Sequence, residues 1–211
     1  EVEIVDVDNK IKSKFPTKIV KENAFRILLI NISTHFTSDR NVSEYDVLEP
    51  PLGLIALQSF LNRKFQENIR GLIIKSRVDF DSYKELKKII NDFNPDMIGV
   101  SAMTFHKDFF HEAISKIRES YDKPIVVGGP HPTTSYQEVL DDKNIDVCAL
   151  GEGENTLSEL VELLMNKKQF NYENLKKIPG IAFDEIKYPP SKKFASKTSK
   201  EKNINSSLHT T

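Results

Sequence analysis

The segment PIVVGGPHPT, residues 124–133, carries the strongest fold signal in this 211-residue chain. A run of apolar, strand-forming residues ends at Gly128 and Gly129, and a Pro-His-Pro sequence follows at once. Short apolar runs bounded by glycine and proline are typical of buried strands. Two glycines directly after a strand indicate either a simple turn or a place where a ligand approaches the backbone closely. The neighbouring elements bear on which of the two applies.

Similar apolar runs recur along the chain and alternate with helical patterns. Because the runs are short and nearly continuous, they predict strands that are buried on both faces of a parallel sheet. The predicted strands are RILLINI (26–32), IRGLIIK (69–75), DMIGVSAMT (96–104), PIVVGG (124–129) and DVCAL (146–150). Alternation with helices predicts an α/β fold, here a Rossmann-like or flavodoxin-like three-layer sandwich with a five-stranded parallel sheet. We expect the strand order 2-1-3-4-5.

Local signals predict two helix starts and one further strand. Ser135 with Glu138 has the spacing of a capping box, which predicts a short helix after the fourth strand. Thr156 with Glu159 predicts the start of the last strong helix in the same way. The weaker segment IPGIAFDEI (178–186) predicts an additional strand at the edge of the sheet.

Charge and pattern divide the chain into three segments. We expect an N-terminal extension over 1–24, an α/β domain over 25–186 and a basic, disordered tail over 187–211. The tail has a net charge of +5, so the remaining 186 residues have a net charge of −6. An acidic folded part offers no surplus of cations for phosphates, which excludes nucleic acid as an expected partner.

Cysteine usage and hydropathy limit the class of protein further. Cys148 is the single cysteine and lies inside a predicted strand, so we expect an inert core residue and no disulfide or cysteine-based cluster. No apolar run approaches the ~18 residues of a transmembrane helix, so no membrane partner is expected and a reducing, cytoplasmic location is the default. The chain begins with Glu1 and not with Met, which favours a piece of a longer protein.

Small and polar residues end three neighbouring strands of the predicted sheet. Parallel α/β sheets bind ligands outside the carboxyl ends of their strands, where the strand order changes direction. Missing side chains at such an edge allow a ligand to meet the main chain. The sequence therefore predicts a slot formed by three adjacent strand ends, with Ser101 and Thr104 on the third, Gly128 and Gly129 on the fourth, and Gly151 and Gly153 on the fifth.

The common ligand motifs of this fold class are missing from the predicted edge. There is no GxGxxG after the first strand, no GK[ST] phosphate loop, no glycine in the first loop as in flavodoxins, and no aspartate ending the third strand as in receiver domains. His106 and His111 are five residues apart and do not share a helical face, so no metal site is predicted. Two other classes stay open: a cofactor-free flavodoxin-like interaction or sensor module, and a small-molecule enzyme that uses Glu152 and Glu154 as acid and base.

Five segments in series resemble the N-terminal cobalamin-binding domain of the cobalamin-dependent radical S-adenosylmethionine enzymes. They are PPLGLIALQSFL (50–61), DMIGVSAMT (96–104), IVVGGPHPT (125–133), IDVCALGEGENT (145–156) and IPGIAF (178–183). The resemblance covers residues 25–186. It implies a Rossmann-like domain that holds cobalamin, vitamin B12, across its strand ends.

The resemblance also implies which residues contact the cofactor. The nucleotide arm would lie near the third and fourth strand ends, the 151–154 loop would close one side, and the turn at 52–53 would approach the corrin ring. The implied cofactor-binding residues are Leu52, Gly53, Ser101, Met103, Thr104, Gly128, Gly129, His131, Gly151, Glu152, Gly153 and Glu154.

The sequence departs from related patterns in two places. Cobalamin-binding domains of mutases carry DxHxxG after the first strand, whereas STHFTSDRNVSEYD (33–46) offers His35 without the aspartate and the glycine. An unsupported imidazole is poorly oriented, so we predict that no protein histidine coordinates cobalt. The CxxxCxxC motif of the radical enzymes is also missing.

The missing cysteines bear on what the chain can do alone. We expect metal ion binding, in the form of a 4Fe-4S iron-sulfur cluster, and S-adenosylmethionine only in a full-length parent protein. The radical S-adenosylmethionine barrel domain of that parent would be the partner of this chain, in cis or in trans. The chain alone is then not catalytic, and methyl transfer or related radical chemistry would belong to that parent. A domain cut from a longer protein and a truncated relative both stay open.

Overall fold

In the part of the chain that the structure describes, six strands form one mixed sheet in the order β2-β1-β3-β4-β5-β6. The computed structural model describes residues 13–14, 19–32, 35–38 and 49–190. The strands are β1 (Phe25–Ile32), β2 (Ile69–Lys75), β3 (Met97–Ala102), β4 (Ile125–Gly128), β5 (Val147–Ala149) and β6 (Ile181–Phe183). The first five strands pair in parallel, and β6 pairs antiparallel with β5. The predicted fold class and the order of the parallel strands are confirmed, and the segment at 178–186 adds the sixth, edge strand.

Helices connect the strands and cover both faces of the sheet. They are α1 (Leu52–Phe65), α2 (Tyr83–Phe93), α3 (Lys107–Arg118), α4 (Pro130–Val139), α5 (Gly153–Met165) and α6 (Tyr172–Leu175). None of the helices in the described ranges is both long enough and apolar enough to cross a bilayer.

The helix start predicted at Thr156 is wrong by three residues, and a helical segment that the sequence did not predict precedes the start predicted at Ser135. Helix α4 begins at Pro130, and Ser135 lies inside it at a kink with φ −129° and ψ 29°. Proline suits a first helical position because its φ is preset and it has no N–H group to leave unpaired. Helix α5 begins at Gly153, and the Thr156 hydroxyl donates to the carbonyl of Pro179 at 3.3 Å, so it does not cap the helix. Both helices thus start directly after their strands.

Alternating residues of the strands build two separate cores. On one face Ile27 and Leu29 of β1 pack with Leu54 and Leu61 of α1 and with Leu157 of α5. On the other face Leu28, Ile30 and Ile32 pack with the helices α2, α3 and α4. This period of two follows from the pleat of a strand, which sends successive side chains to opposite faces. The arrangement is a three-layer sandwich with α1 and α5 on one side.

The chain after β6 packs against Asp146, the residue directly before β5. Arg118 contacts the Asp146 carboxylate at 2.8 Å, Lys187 contacts it at 2.7 Å, and the Tyr188 hydroxyl donates to it at 2.7 Å. Burial by itself raises the pKa of Asp146, but the hydrogen bonds from Lys187, Ile125 N–H and Tyr188 outweigh it and lower the pKa. The first two residues of the predicted tail therefore pack on the domain, and residues 191–211 of that tail lie outside the described residues.

Candidate functional site

An elongated cavity of about 480 Å³ lies at the carboxyl edge of the sheet, between α1 and α5. This cavity is the slot that the strand ends predict. It is in the range of small-molecule sites, and such sites are typically apolar with a few polar groups that fix orientation. The lining residues are Leu29, Asn31, Pro51, Leu52, Gly53, Leu54, Ala56, Leu57, Gly99, Val100, Ser101, Val126, Val127, Gly128, Gly129, Pro130, Ala149, Gly151, Glu152, Gly153, Glu154 and Leu157.

Glycines open the floor of the slot along β3 and β4. A Cβ atom at Gly99 would lie 2.7 Å from Leu29 Cδ2, so a side chain there would displace the apolar floor. At Gly129 the backbone has φ +95°, and a Cβ would lie 2.8 Å from the Ser101 hydroxyl oxygen. A non-glycine residue at this φ is strained whatever the space around it. The two glycines therefore let Leu29 and Ser101 pack directly against the main chain at the floor of the slot.

The side walls of the slot come from the first turns of α1 and α5. A Cβ at Gly153 would lie 3.2 Å from Leu57 Cδ2, so α5 approaches α1 closely at this point. The Gly151 N–H donates to the Thr133 hydroxyl at 3.2 Å, which joins the loop after β5 to helix α4. The GGPH and GEGE segments therefore meet on one edge of the sheet and form adjacent parts of one wall.

Nine of the twelve residues assigned to the cofactor by sequence line the slot. The other three do not line it. Met103 is 40% exposed and Thr104 begins an exposed 3-10 turn, so both lie beyond the slot on the same carboxyl edge. His131 is only 1% exposed and lies behind the wall.

His131 is buried between helices α3 and α4. Its ring centroid is 5.8 Å from Phe110 and 6.2 Å from His111, both in nearly perpendicular arrangements. Neither ring nitrogen has a hydrogen-bond partner within the described ranges. Burial, and after it the nearby charge of His111, lowers the pKa of His131. His111 itself contacts Asp142 at 2.8 Å. A neutral imidazole behind the wall of the slot is the state that this environment favours.

Sequence reasoning missed several lining residues inside regular elements. Asn31 is the second-to-last residue of β1, and Gly99 lies within β3 among apolar residues that indicated only a buried strand. Leu57 of α1 also forms a wall of the slot. A glycine inside a strand is a recognised sign of close approach by a ligand or a backbone, and it was the signal available for Gly99.

His35, His106, His111 and Cys148 lie outside the slot lining. The His35 ring stacks on Phe109 of α3 at 4.8 Å and contacts the His106 ring at 5.2 Å, on the face opposite α1 and α5. Cys148 is fully buried, and burial raises the pKa of its thiol. In the described part of the chain, no group of three or more His, Cys, Asp or Glu residues is arranged to hold a metal ion.

Comparison with known families gives a match over more than half of the chain. The sequence profile described as the B12 binding domain matches residues 41–161. An uncharacterized methyltransferase of Pyrococcus horikoshii is 30% identical over 141 residues, which is 64% of this chain and 28% of the relative. The anaerobic magnesium-protoporphyrin IX monomethyl ester cyclase of Cereibacter sphaeroides is 29% identical over 119 residues, or 54% of this chain and 19% of the cyclase.

Solved structures with the same fold include two radical enzymes. The cobalamin-dependent S-adenosylmethionine radical enzyme OxsB, with aqua-cobalamin and S-adenosylmethionine bound, has a TM-score of 0.61 at 20% identity over 77% of this chain and 21% of OxsB. The radical S-adenosylmethionine methyltransferase TsrM from Kitasatospora setae, with cobalamin and a [4Fe-4S] cluster bound, has a TM-score of 0.59 at 21% identity over 76% of this chain and 27% of TsrM. The chain spans less than a third of the length of each of these proteins.

Proposed function

Because this chain belongs to the B12 binding domain family, we propose that it binds cobalamin at the carboxyl edge of its sheet, with the nucleotide arm in the slot. In this arrangement the corrin ring would lie over the mouth of the slot. There the exposed Leu52 and Met103 offer apolar contact, at 69% and 40% exposure.

The observation that carries this proposal is the bare floor of the slot between two helices. A long, narrow substituent enters only where main chain and small residues leave room, and Gly99, Gly128 and Gly129 leave that room across β3 and β4. The apolar lining from Leu54, Leu57 and others suits a flat aromatic base at the end of the arm. The residues present thus fit the cofactor.

We also propose that no protein histidine coordinates the cobalt. His35 packs against Phe109 on the face opposite the slot, and His131 is buried behind the wall of the slot. Reaching the corrin from either position would require breaking packed contacts. These placements support cobalamin binding in which neither His35 nor His131 would ligate the cobalt.

The similar proteins suggest the activity of the enzyme in which this chain would work. Cobalamin supplies a carrier for a methyl group or a partner for radical chemistry, and the protein supplies binding and orientation. We propose that this chain works with a radical S-adenosylmethionine barrel domain in cis or in trans, which would contribute S-adenosylmethionine and the 4Fe-4S cluster. In that assembly this chain holds the cofactor and excludes water from the slot.

Retention of cobalamin through desalting tests the proposal. Hydroxocobalamin is added to the purified chain and free cofactor is removed. A red chromophore retained at about one per chain is the expected result. A colourless protein contradicts the proposal and favours a cofactor-free flavodoxin-like module. Activity on a small molecule that needs no cobalamin and is lost in Glu154→Gln would favour an enzyme that uses Glu152 and Glu154.

A further inference from the structure

A row of paired positions crosses the sheet at the slot. Asn31, near the end of β1, pairs with Lys75 of β2 on one side and with Ser101 of β3 on the other, and Ser101 pairs with Gly128 of β4. Paired residues of parallel strands project to the same face of the sheet. Asn31 therefore shares the face of Leu29, which packs with α1 and α5, and it lines the slot beside Ser101.

The side-chain amide of Asn31 is unusual because its oxygen has no partner. Within residues 19–32, 35–38 and 49–190, Asn31 Oδ1 is buried and accepts no hydrogen bond. The main-chain carbonyl of Asn31 is used differently, since it accepts from Ser76 N–H at 3.2 Å. Leaving a buried carbonyl oxygen unpaired costs stability, so an apolar residue would be the better choice for folding alone. A polar residue that weakens the fold at a ligand cavity indicates a role in binding.

The other polar groups of the slot limit the kind of ligand group that fits beside Asn31. Apart from Asn31 and Ser101, the side chains in the lining that carry polar groups are Glu152 and Glu154, whose carboxylates repel an anion. A carboxamide offers one acceptor and two donors, and a half-turn about its last bond exchanges them. A ribose presents hydroxyl donors that suit the unpaired oxygen, and it carries no charge for the two carboxylates to repel.

We propose that Asn31 is a specificity-determining residue whose side-chain oxygen accepts a hydrogen bond from the ribose of the nucleotide arm. This inference rests on the proposed binding of cobalamin. It assigns to Asn31 the discrimination between cobalamin and corrinoids without the arm. Ser101 is the neighbouring hydroxyl in the same row, and the apolar walls hold the base.

Two substitutions of the same type test the inference. Asn31→Leu removes the carboxamide and keeps a similar volume, whereas Asn155→Leu makes the same change at an exposed position of α5 outside the slot lining. Affinities for hydroxocobalamin and for cobinamide, which lacks the nucleotide arm, are measured by spectral titration. Melting temperatures of the cofactor-free proteins are measured in parallel.

Loss of the contact is expected to weaken cobalamin binding by about 10-fold in Asn31→Leu, the usual size for a buried hydrogen bond. Cobinamide has no nucleotide arm that could contact Asn31. Its affinity should therefore change by less than about 2-fold, which corresponds to ~0.4 kcal/mol. The melting temperature should stay the same or rise, because the unpaired oxygen is gone. Asn155→Leu should match the wild type in both titrations.

Three results overturn the inference, and they are distinguishable. A wild-type chain that binds no cobalamin defeats the proposed function and this inference with it. Normal binding by the wild type with unchanged cobalamin affinity in Asn31→Leu defeats the inference alone. Equal losses for cobalamin and cobinamide, together with a lower melting temperature, would show that Asn31 only supports the fold.

Discussion

At the scale of single residues, the backbone of Gly129 keeps the slot open. Its φ is +95°, and a Cβ at this position would lie 2.8 Å from Ser101 Oγ, so a side chain does not fit without strain. Gly53 is a useful contrast, since a Cβ there would meet nothing within 4 Å. A side chain is therefore disfavoured at Gly129 and is sterically allowed at Gly53, although both residues line the same cavity.

Alanine substitutions separate these two reasons. Gly129→Ala should lower the free energy of unfolding by about 1–3 kcal/mol, because alanine at this φ is strained. Gly53→Ala should leave stability unchanged or raise it by up to about 1 kcal/mol, because alanine favours a helix. Denaturant unfolding of both variants measures the difference. Equal stability of the two variants would contradict the strain argued at Gly129.

The free energy of unfolding should depend on pH through the single residue His131. The groups that act on it are His111 and Lys107 of α3, which lower its pKa after burial, and Glu138 of α4, which opposes them. The folded state thus holds His131 neutral to a lower pH than the unfolded chain, whose histidines titrate near ~6.5. The unfolded state binds the extra proton first, so acidification through this range removes stability.

His131→Phe should remove that part of the acid sensitivity. We expect the wild type to lose more stability than the variant when the pH falls from about 7.5 to about 5.5, since phenylalanine binds no proton. At pH ~7.5 the variant should be as stable as the wild type or more so, because no unpaired buried nitrogen remains. Denaturant unfolding at both pH values is the measurement. A variant with the same loss as the wild type would show that His131 does not titrate in this range.

The same variant bears on the cofactor role that sequence assigned to His131. If the histidine only packs behind the wall, His131→Phe retains cobalamin like the wild type. A selective loss of cobalamin from a stable variant would show contact between His131 and the cofactor.

At the scale of elements, the starts of α4 and α5 bring the strand ends together as a site. Both helices begin within two residues of Gly151 or Gly129, so their first turns stand beside the slot. The Gly151–Thr133 hydrogen bond joins the loop after β5 to the first turn of α4. The distance between Gly153 and Leu57 sets the width of the opening.

Filling this opening should block the cofactor without unfolding the domain. Gly153→Leu adds a side chain between α5 and α1, and we expect cobalamin affinity to fall by at least about 10-fold, more than ~1.4 kcal/mol. Leucine favours helices over glycine, so α5 should persist in the circular dichroism spectrum. Asn155→Leu again serves as the matched control. Wild-type affinity in Gly153→Leu would mean that the arm does not pass between α1 and α5.

The strands and the overall order of the elements were predictable from the sequence, whereas the exact helix starts and some site residues were not. Apolar runs such as RILLINI specify strands, and alternation with helices specifies the parallel order, so the fold and the edge that carries the slot were predictable. The first helical residues after β4 and β5 were not, because Pro130 and Gly153 begin helical segments ahead of Ser135 and Thr156, the residues with capping spacing. Asn31 and Leu57 were missed because facing the slot depends on which sides of β1 and α1 meet in three dimensions.

At the scale of the whole molecule, the two faces of the sheet have different tasks. The α2, α3 and α4 face is filled by a continuous core that includes Phe109 and Phe110. The α1 and α5 face carries its own core below the carboxyl edge and opens into the slot at that edge. A rigid layer thus supports a cavity on the other side, which is how α/β folds combine stability with binding.

The most direct test of this account is a crystal structure of the chain with bound cobalamin. The account predicts the nucleotide arm between α1 and α5, over Gly99 and Gly128, with the corrin ring at the mouth and no side-chain nitrogen on the cobalt. An arm that points into solvent, or a corrin ring seated on another face of the sheet, would contradict it.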